Sequence, residues 1–229
     1  MIFKNPLVVG HKGEIGSFIL GDLLREMPKA LNIWCFDINE SETEKIDRIN
    51  KSDYIFLCIP IQDTVKWLIK YKKHLKNKVI IEQASLKEWI YNDKRIKKLK
   101  LIPMHILFRP SATPDRKDRE TLLTFNEEAL CYYNLPLAKD IKTITCSNVT
   151  WCKNIELHDK VMSLNQALVH KVISALGRTL GKGVDNFLSK KVKELANRIL
   201  DGDKDLYKFI QTNKYLSNSL NTFEKELKG

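Results

Sequence analysis

The chain is 229 residues long, 43% hydrophobic and formally +11 at neutral pH, which suits a packed core in one large domain or two modest ones. Its apolar runs stay far short of the roughly eighteen residues that cross a bilayer, and the N-terminus lacks the layout of a secretory signal, so a soluble, cytoplasmic protein with no membrane partner is expected. The positive charge lies in lysine-rich stretches at 66–78 and 94–100, read as polar helix faces; aromatic side chains are not interleaved with them as a nucleic-acid stacking surface requires, so nucleic acid is not the expected partner.

In chain order, apolar strand-like runs alternate with amphipathic stretches through the first half. Strands are predicted at 6–9, 32–36, 54–59, 78–83 and 99–104, an alternation that implies a parallel sheet joined by right-handed crossovers. A loop over 111–118 leads to a strand at 121–125, then a helix and a further strand at 143–146. From about residue 150 the chain reads as all helix. Leu157, Val161, Leu164, Leu168, Val172 and Leu176 recur at three- and four-residue spacing, the pattern of a long buried helix face. Gly181 and Gly183 end that helix, and two more are predicted at 184–200 and 203–227. The expected organisation is α/β: a Rossmann-type nucleotide-binding domain with a parallel-rich sheet at 1–149, followed by an all-helical domain at 150–229.

The five cysteines, Cys35, Cys58, Cys131, Cys146 and Cys152, are widely spaced and contain no C-x-x-C pair, so no metal site is predicted and most of the thiols are expected to be buried.

The first motif with chemical content is Val8-Val9-Gly10-His11-Lys12-Gly13-Glu14-Ile15-Gly16, which follows the first strand and opens a helix. Gly10 permits a tight turn, Gly13 lets the backbone approach a pyrophosphate, Gly16 lets helix and strand pack closely, and the helix N-terminus receives the phosphates. Asp37, about twenty residues on at the end of the second strand, can accept from ribose hydroxyls and would repel a 2′-phosphate. NAD is therefore favoured over NADP, although Lys12 leaves NADP open, and Asp37 with Glu40 also reads as a helix cap. Ile59 and Pro60 at the end of the third strand and Ser85 at the end of the fourth complete the candidate cofactor set of Gly10, Lys12, Gly13, Glu14, Ile15, Gly16 and Asp37.

Ser85-Leu86-Lys87-Glu88 reads equally as a capping box, the serine and the glutamate each satisfying the other's backbone donor. His105 ends the apolar run Leu101-Ile102-Pro103-Met104, where it is either a core histidine or a base facing the crevice at the carboxyl ends of the strands.

Taken in order, Gly10/Gly13/Gly16, Asp53-Tyr54-Ile55-Phe56-Leu57-Cys58-Ile59-Pro60, Ala84-Ser85-Leu86-Lys87 and Met104-His105-Ile106-Leu107-Phe108-Arg109-Pro110 resemble the prephenate dehydrogenase family of tyrosine biosynthesis. The resemblance continues through Leu157-His158-Asp159, Asn165-Gln166-Ala167-Leu168-Val169-His170 and Arg198-Ile199-Leu200-Asp201-Gly202-Asp203, and so spans nearly the whole chain. It implies oxidative decarboxylation of prephenate, or of its amino analogue arogenate, with NAD or NADP as the acceptor, in a homodimer. By position, it implies that His105 takes the proton of the ring hydroxyl and that Ser85 holds the histidine or the hydroxyl. Arg198 would fork onto a substrate carboxylate, with His170 and Lys190 as further substrate candidates and His158 shaping the wall. Protonation of the imidazole at acidic pH should then lower activity. The bland alternative for Arg198 is a cation near a helix C-terminus.

The chain departs from the family where a His-Pro-Met-Phe-Gly-Pro run becomes His105-Ile106-Leu107-Phe108-Arg109-Pro110, losing a proline and a glycine. Arg109 places an extra cation beside the site, where it either binds a carboxylate or crowds the pocket. A non-catalytic NAD-binding regulator of the same fold is the corresponding alternative.

Overall fold

The structure, a computed structural model, describes residues 4–26, 32–113, 115–124, 135–180, 187–200 and 204–227. Short apolar runs become fully buried strands when a parallel sheet is covered on both faces, and β1 (Pro6–Val9) and β4 (Val79–Glu82) are buried at every residue. With β2 (Trp34–Phe36), β3 (Tyr54–Leu57), β5 (Lys100–Ile106), β6 (Glu120–Thr124) and β7 (Asn148–Cys152) they form a sheet of order β2-β1-β3-β4-β5-β6-β7 among the described residues. The first five strands run parallel, β6 pairs antiparallel with β5, and β7 pairs parallel with β6. The fold is the Rossmann type.

Helices α1 (Glu14–Glu26), α2 (Glu42–Lys51), α3 (Ile61–Tyr71), the single turn α4 (Glu88–Tyr91) and α5 (Leu135–Thr145) complete this unit. Ile19 and Leu23 of α1 and Ile141 and Ile144 of α5 pack with Val8, Phe56, Ile81 and Met104 of the sheet, each such buried side chain contributing roughly 1.5–3 kcal/mol. The cap of α2 is Ser41, in a complete capping box with Glu44, so Asp37 is not the cap that its spacing to Glu40 suggested. Residues 94–99 form turns rather than a helix face.

The strand expected at 143–146 is instead the end of α5, where Cys146, with a positive φ of 46°, turns the chain into β7. Helix accordingly starts not at residue 150 but at Ile155, after β7 ends at Cys152. Cys152 is buried, whereas Cys35, Cys58 and Cys146 are half-buried, and none of these four is in a disulfide among the described residues; Cys131 lies outside the described residues.

The chain divides into two compact units, Met1–Ile155 and Glu156–Gly229. In the second, α6 (Ile155–Met162) passes through a π-helical segment (Ser163–Leu168) into α7 (Val169–Leu180), followed by α8 (Phe187–Leu200), α9 (Lys204–Ile210) and α10 (Leu216–Glu226). Ala167, Ile210 and Leu216 form its buried apolar centre, with Leu168, Leu206 and Leu220 packed around them. A methyl on Gly177 of α7 would overlap the Ala196 side chain of α8, so these two helices cross at glycine-limited distance.

Two expectations fail here. Leu157, Leu164 and Leu176, expected in a buried face, are exposed at 41%, 47% and 43%, while His158, Asp159, Met162, Ser163, Ala167 and Ser174 occupy the inner side. The helix expected over 203–227 is two helices, because buried Asn213 leaves helical pairing, donates to the Asp159 carbonyl (2.8 Å) and accepts from the Tyr215 N–H (3.0 Å). Gly181, Gly183, Val184 and residues 201–203 lie outside the described residues.

Candidate functional site

The chain order reverses between β1 and β3, since β2 lies on one side of β1 and β3 on the other; the carboxyl ends of strands at such a point form the ligand crevice of an open α/β sheet. Gly10 ends β1 there with φ +78°, donating to the Phe36 carbonyl (3.0 Å), while Cys58 at the end of β3 donates to the Val9 carbonyl (3.0 Å). A side chain at Gly10 would strike the Cys58 carbonyl, and one at Gly16 would strike the Gly10 carbonyl. Both glycines are therefore required by the chain's own packing. Gly13 differs: an added Cβ would meet only the Gly10 oxygen, at 3.4 Å, so the backbone at Gly13 has an open face. That opening, ahead of the first turn of α1, fits a pyrophosphate at the helix N-terminus.

Asp37 stands beside this turn at the end of β2. Its carboxylate accepts from the Lys12 N–H (3.0 Å) and the Ile38 N–H (2.8 Å), and its own N–H donates to Glu40 (2.8 Å). Burial pushes the Asp37 carboxyl up, but the two backbone donors and the charges of His11 and Lys12 hold it below the usual carboxylate range. An acid whose charged form is favoured thus borders the turn, with a second carboxylate, Glu40, hydrogen-bonded to its backbone. Ile59 follows β3, and Pro60 caps α3 without a side-chain bond, placing both on the same edge of the sheet.

At the adjoining strands, Ser85 and His105 lie at the carboxyl ends of β4 and β5, which are paired in parallel with Glu82 opposite Pro103. Both side chains are buried, at 8% and 5% exposure. The Ser85 capping box does not form, since α4 begins at Glu88 with Lys87 as its cap and no side-chain capping bond. Lys87 instead turns inward with no exposure, its ammonium 2.6 Å from Glu82 Oε1 and 2.7 Å from the Met104 carbonyl. The other Glu82 oxygen accepts from the Ala84 N–H (2.8 Å), and Tyr91 donates to Oε1 (3.3 Å). Burial pushes the Glu82 carboxyl up, and the lysine, the Ala84 N–H and the tyrosine hydroxyl pull it back. The residue before Ser85 and the residue before His105 are thereby tied to one ion pair.

Arg109 is paired with Glu14. Its Nε donates to Glu14 Oε2 (2.8 Å), while the Ser111 N–H (2.9 Å) and hydroxyl (2.5 Å) both donate to Glu14 Oε1. Burial alone would raise the Glu14 carboxyl, but these donors and the guanidinium charge hold it below its ordinary value.

Residues 28–130 match the model of the prephenate dehydrogenase nucleotide-binding domain. No curated protein matches the chain in sequence. Among solved structures, the prephenate dehydrogenase of Aquifex aeolicus, determined with hydroxyphenyl propionate and NAD+, aligns with a TM-score of 0.79 at 21% identity over 100% of this chain and 89% of that one. The arogenate dehydrogenase of Synechocystis aligns at 0.66 and 19% identity, covering 97% and 89%. The pyrroline carboxylate reductase of Plasmodium falciparum, with NADP bound, aligns at 0.54 and 15% identity, covering 98% and 90%. The fold is thus shared beyond the prephenate dehydrogenase family, and the likeness to the two family structures runs through the helical unit.

In that unit the family-like segment at Gln166 and His170 has a distinct local chemistry. His170 stacks on Tyr207 with ring centroids 6.1 Å apart, and burial lowers its pKa below the ordinary imidazole value. Its Nδ1, Gln166 Oε1 and Ser174 Oγ are buried and have no hydrogen-bond partner among the described residues. At four-residue spacing the three run along one side of the helix, and such unmet polar atoms each cost about 1–3 kcal/mol unless something satisfies them. Ser174 and Tyr207 were not singled out from the sequence; extending the Gln166–His170 spacing by one more step finds the serine.

His158, by contrast, is fully buried, its Nδ1 2.7 Å from Asp159 Oδ1. Lys190 and Arg198 are exposed on α8. Arg198 projects roughly 200° around the helix from Ala196, the residue that meets α7, so the helical unit by itself does not seat this arginine against His170.

Proposed function

We propose that the chain is an NAD-dependent prephenate dehydrogenase. What supports this most is the pairing of a buried histidine and a buried serine at neighbouring strand ends, tied together through Lys87 beside a glycine turn with an open backbone face. When bound, the nicotinamide cofactor supplies the two-electron acceptor. His105 takes the proton from the ring hydroxyl as the same carbon is oxidised, and Ser85 holds that hydroxyl or the imidazole by a hydrogen bond. Loss of carbon dioxide then makes the ring aromatic, so the work left to the protein is alignment. Arg198 serves a substrate carboxylate through its planar fork, and His170 and Lys190 are further substrate candidates.

The direct test is NADH formation when prephenate, and separately arogenate, is added at neutral pH with NAD. Turnover of prephenate supports the assignment, and turnover of arogenate alone moves it to arogenate dehydrogenase. Tight NAD binding with neither reaction would overturn it in favour of a non-catalytic nucleotide-binding protein.

Preference for NAD is assigned to Asp37 and Glu40, whose negative charge opposes a 2′-phosphate. Asp37→Ser is expected to narrow the ratio of kcat/KM for NAD over NADP about tenfold, the equivalent of about 1.4 kcal/mol. An unchanged ratio would place discrimination elsewhere.

The assembly proposed is a homodimer. The exposed Leu157, Leu164, Val169, Leu176 and Leu195 leave a soluble chain with an apolar helical surface of the kind that partner copies cover. Leu164→Glu combined with Leu176→Glu is expected to give a solution mass of one chain by light scattering, against two for wild type; equal masses would remove this surface from the interface. Among the described residues no helix is long and apolar enough to cross a membrane.

A further inference from the structure

We infer that Arg109 serves the cofactor's phosphates, not the substrate, by cancelling the charge that Glu14 brings to the glycine turn. The inference rests on the nucleotide-binding reading above. Glu14 is the first residue of α1 and directly follows Gly13, so its carboxylate stands at the helix end where a pyrophosphate is received. Left alone, that carboxylate would repel the ligand the turn is shaped for. Here it is not alone: one oxygen accepts from Arg109 Nε and the other from the Ser111 N–H and hydroxyl.

Arg109 is held at this place from both sides. Phe108 packs edge-on against Phe18 of α1 with centroids 5.6 Å apart, and the Arg119 guanidinium lies over both rings at 5.4 Å and 5.3 Å. On the other side, the Arg109 carbonyl accepts from the N–H groups of Ala112 and Thr113 (both 2.9 Å), closing a turn. Among the described residues Arg109 uses only its Nε, and its side chain is 65% exposed. The guanidinium therefore stands at the surface of the turn, where its charge offsets that of Glu14.

This arrangement has a signature that a merely structural ion pair lacks. Arg109→Gln leaves the Glu14 carboxylate uncompensated and is expected to weaken NAD binding about tenfold, the loss typical of one charged hydrogen bond. Glu14→Gln should bind NAD as well as wild type or better, and the double variant should recover most of the loss. NAD is titrated into the cofactor-free protein by calorimetry, with thermal melting of each variant run alongside and Arg109→Lys as the charge-retaining control.

Recovery in the double variant, with the KM for prephenate unchanged at saturating NAD, supports the inference. Wild-type NAD affinity in folded Arg109→Gln, or a rise in the substrate KM alone, overturns it and returns Arg109 to the substrate. Failure of the wild-type protein to bind NAD at all is a separate result: it overturns the dehydrogenase reading and this inference with it.

Discussion

Replacing His105 with asparagine is expected to lower kcat about 10²–10⁴-fold, the usual contribution of a positioned acid–base group, while NAD binding and the circular-dichroism spectrum stay close to wild type. Asparagine fits within the histidine's volume and retains a donor and an acceptor but cannot take a proton near neutral pH. His105 lies in β5 opposite Leu122 of β6, where the strand pairing belongs to the backbone and survives the exchange. The buried position leaves bulk water little access to replace the missing base. A kcat within a fewfold of wild type would mean that His105 is a core residue and that the proton leaves by another route.

The second large effect concerns stability. Lys87→Met is expected to cost about 3–5 kcal/mol in denaturant unfolding, because it strands the Glu82 carboxylate in the core. Glu82→Leu should cost a similar amount by stranding the ammonium. The double variant Glu82→Leu/Lys87→Met should be less destabilised than either single one, since an apolar pair needs no compensation. Costs that simply add would show that the two side chains act independently. Catalysis should not recover with stability: Lys87 also holds the Met104 carbonyl, and Glu82 the Ala84 N–H, so the double variant loses the link between the Ser85 loop and the His105 strand.

Much of the first unit was legible because a parallel sheet covered on both faces demands continuous apolar runs, and residues 6–9, 54–57 and 79–81 are such runs. β7 was not, since Asn148–Cys152 is mostly exposed or half-buried and carries polar residues, while the β-branched run at the end of α5 imitates a strand. The leucine periodicity after residue 156 gave the helix correctly and its buried side wrongly. Hydrophobic spacing identifies an apolar face but not what covers it, and here a histidine, an aspartate and two serines with local partners or unmet polar atoms took the inner positions.

The candidate site divides in the same way. The glycine turn and Asp37 were readable because their spacing is local and imposed by backbone geometry. Arg109 was noticed as a departure, yet its partner Glu14 is distant in sequence, and no local pattern announces such a pair. Asn213 broke a helix for the same reason, through its bond to Asp159.

Lys87 has one more consequence. In a chain whose surface is crowded with lysines, it is wholly screened from solvent, and its ammonium is clamped between a carboxylate and a carbonyl. Amine-acylating reagents should mark the other lysines at once and reach Lys87 only when β4 and β5 part. The rate at which this single amine becomes modified would serve as a clock for the opening of the sheet at the point where the chemistry is proposed to occur.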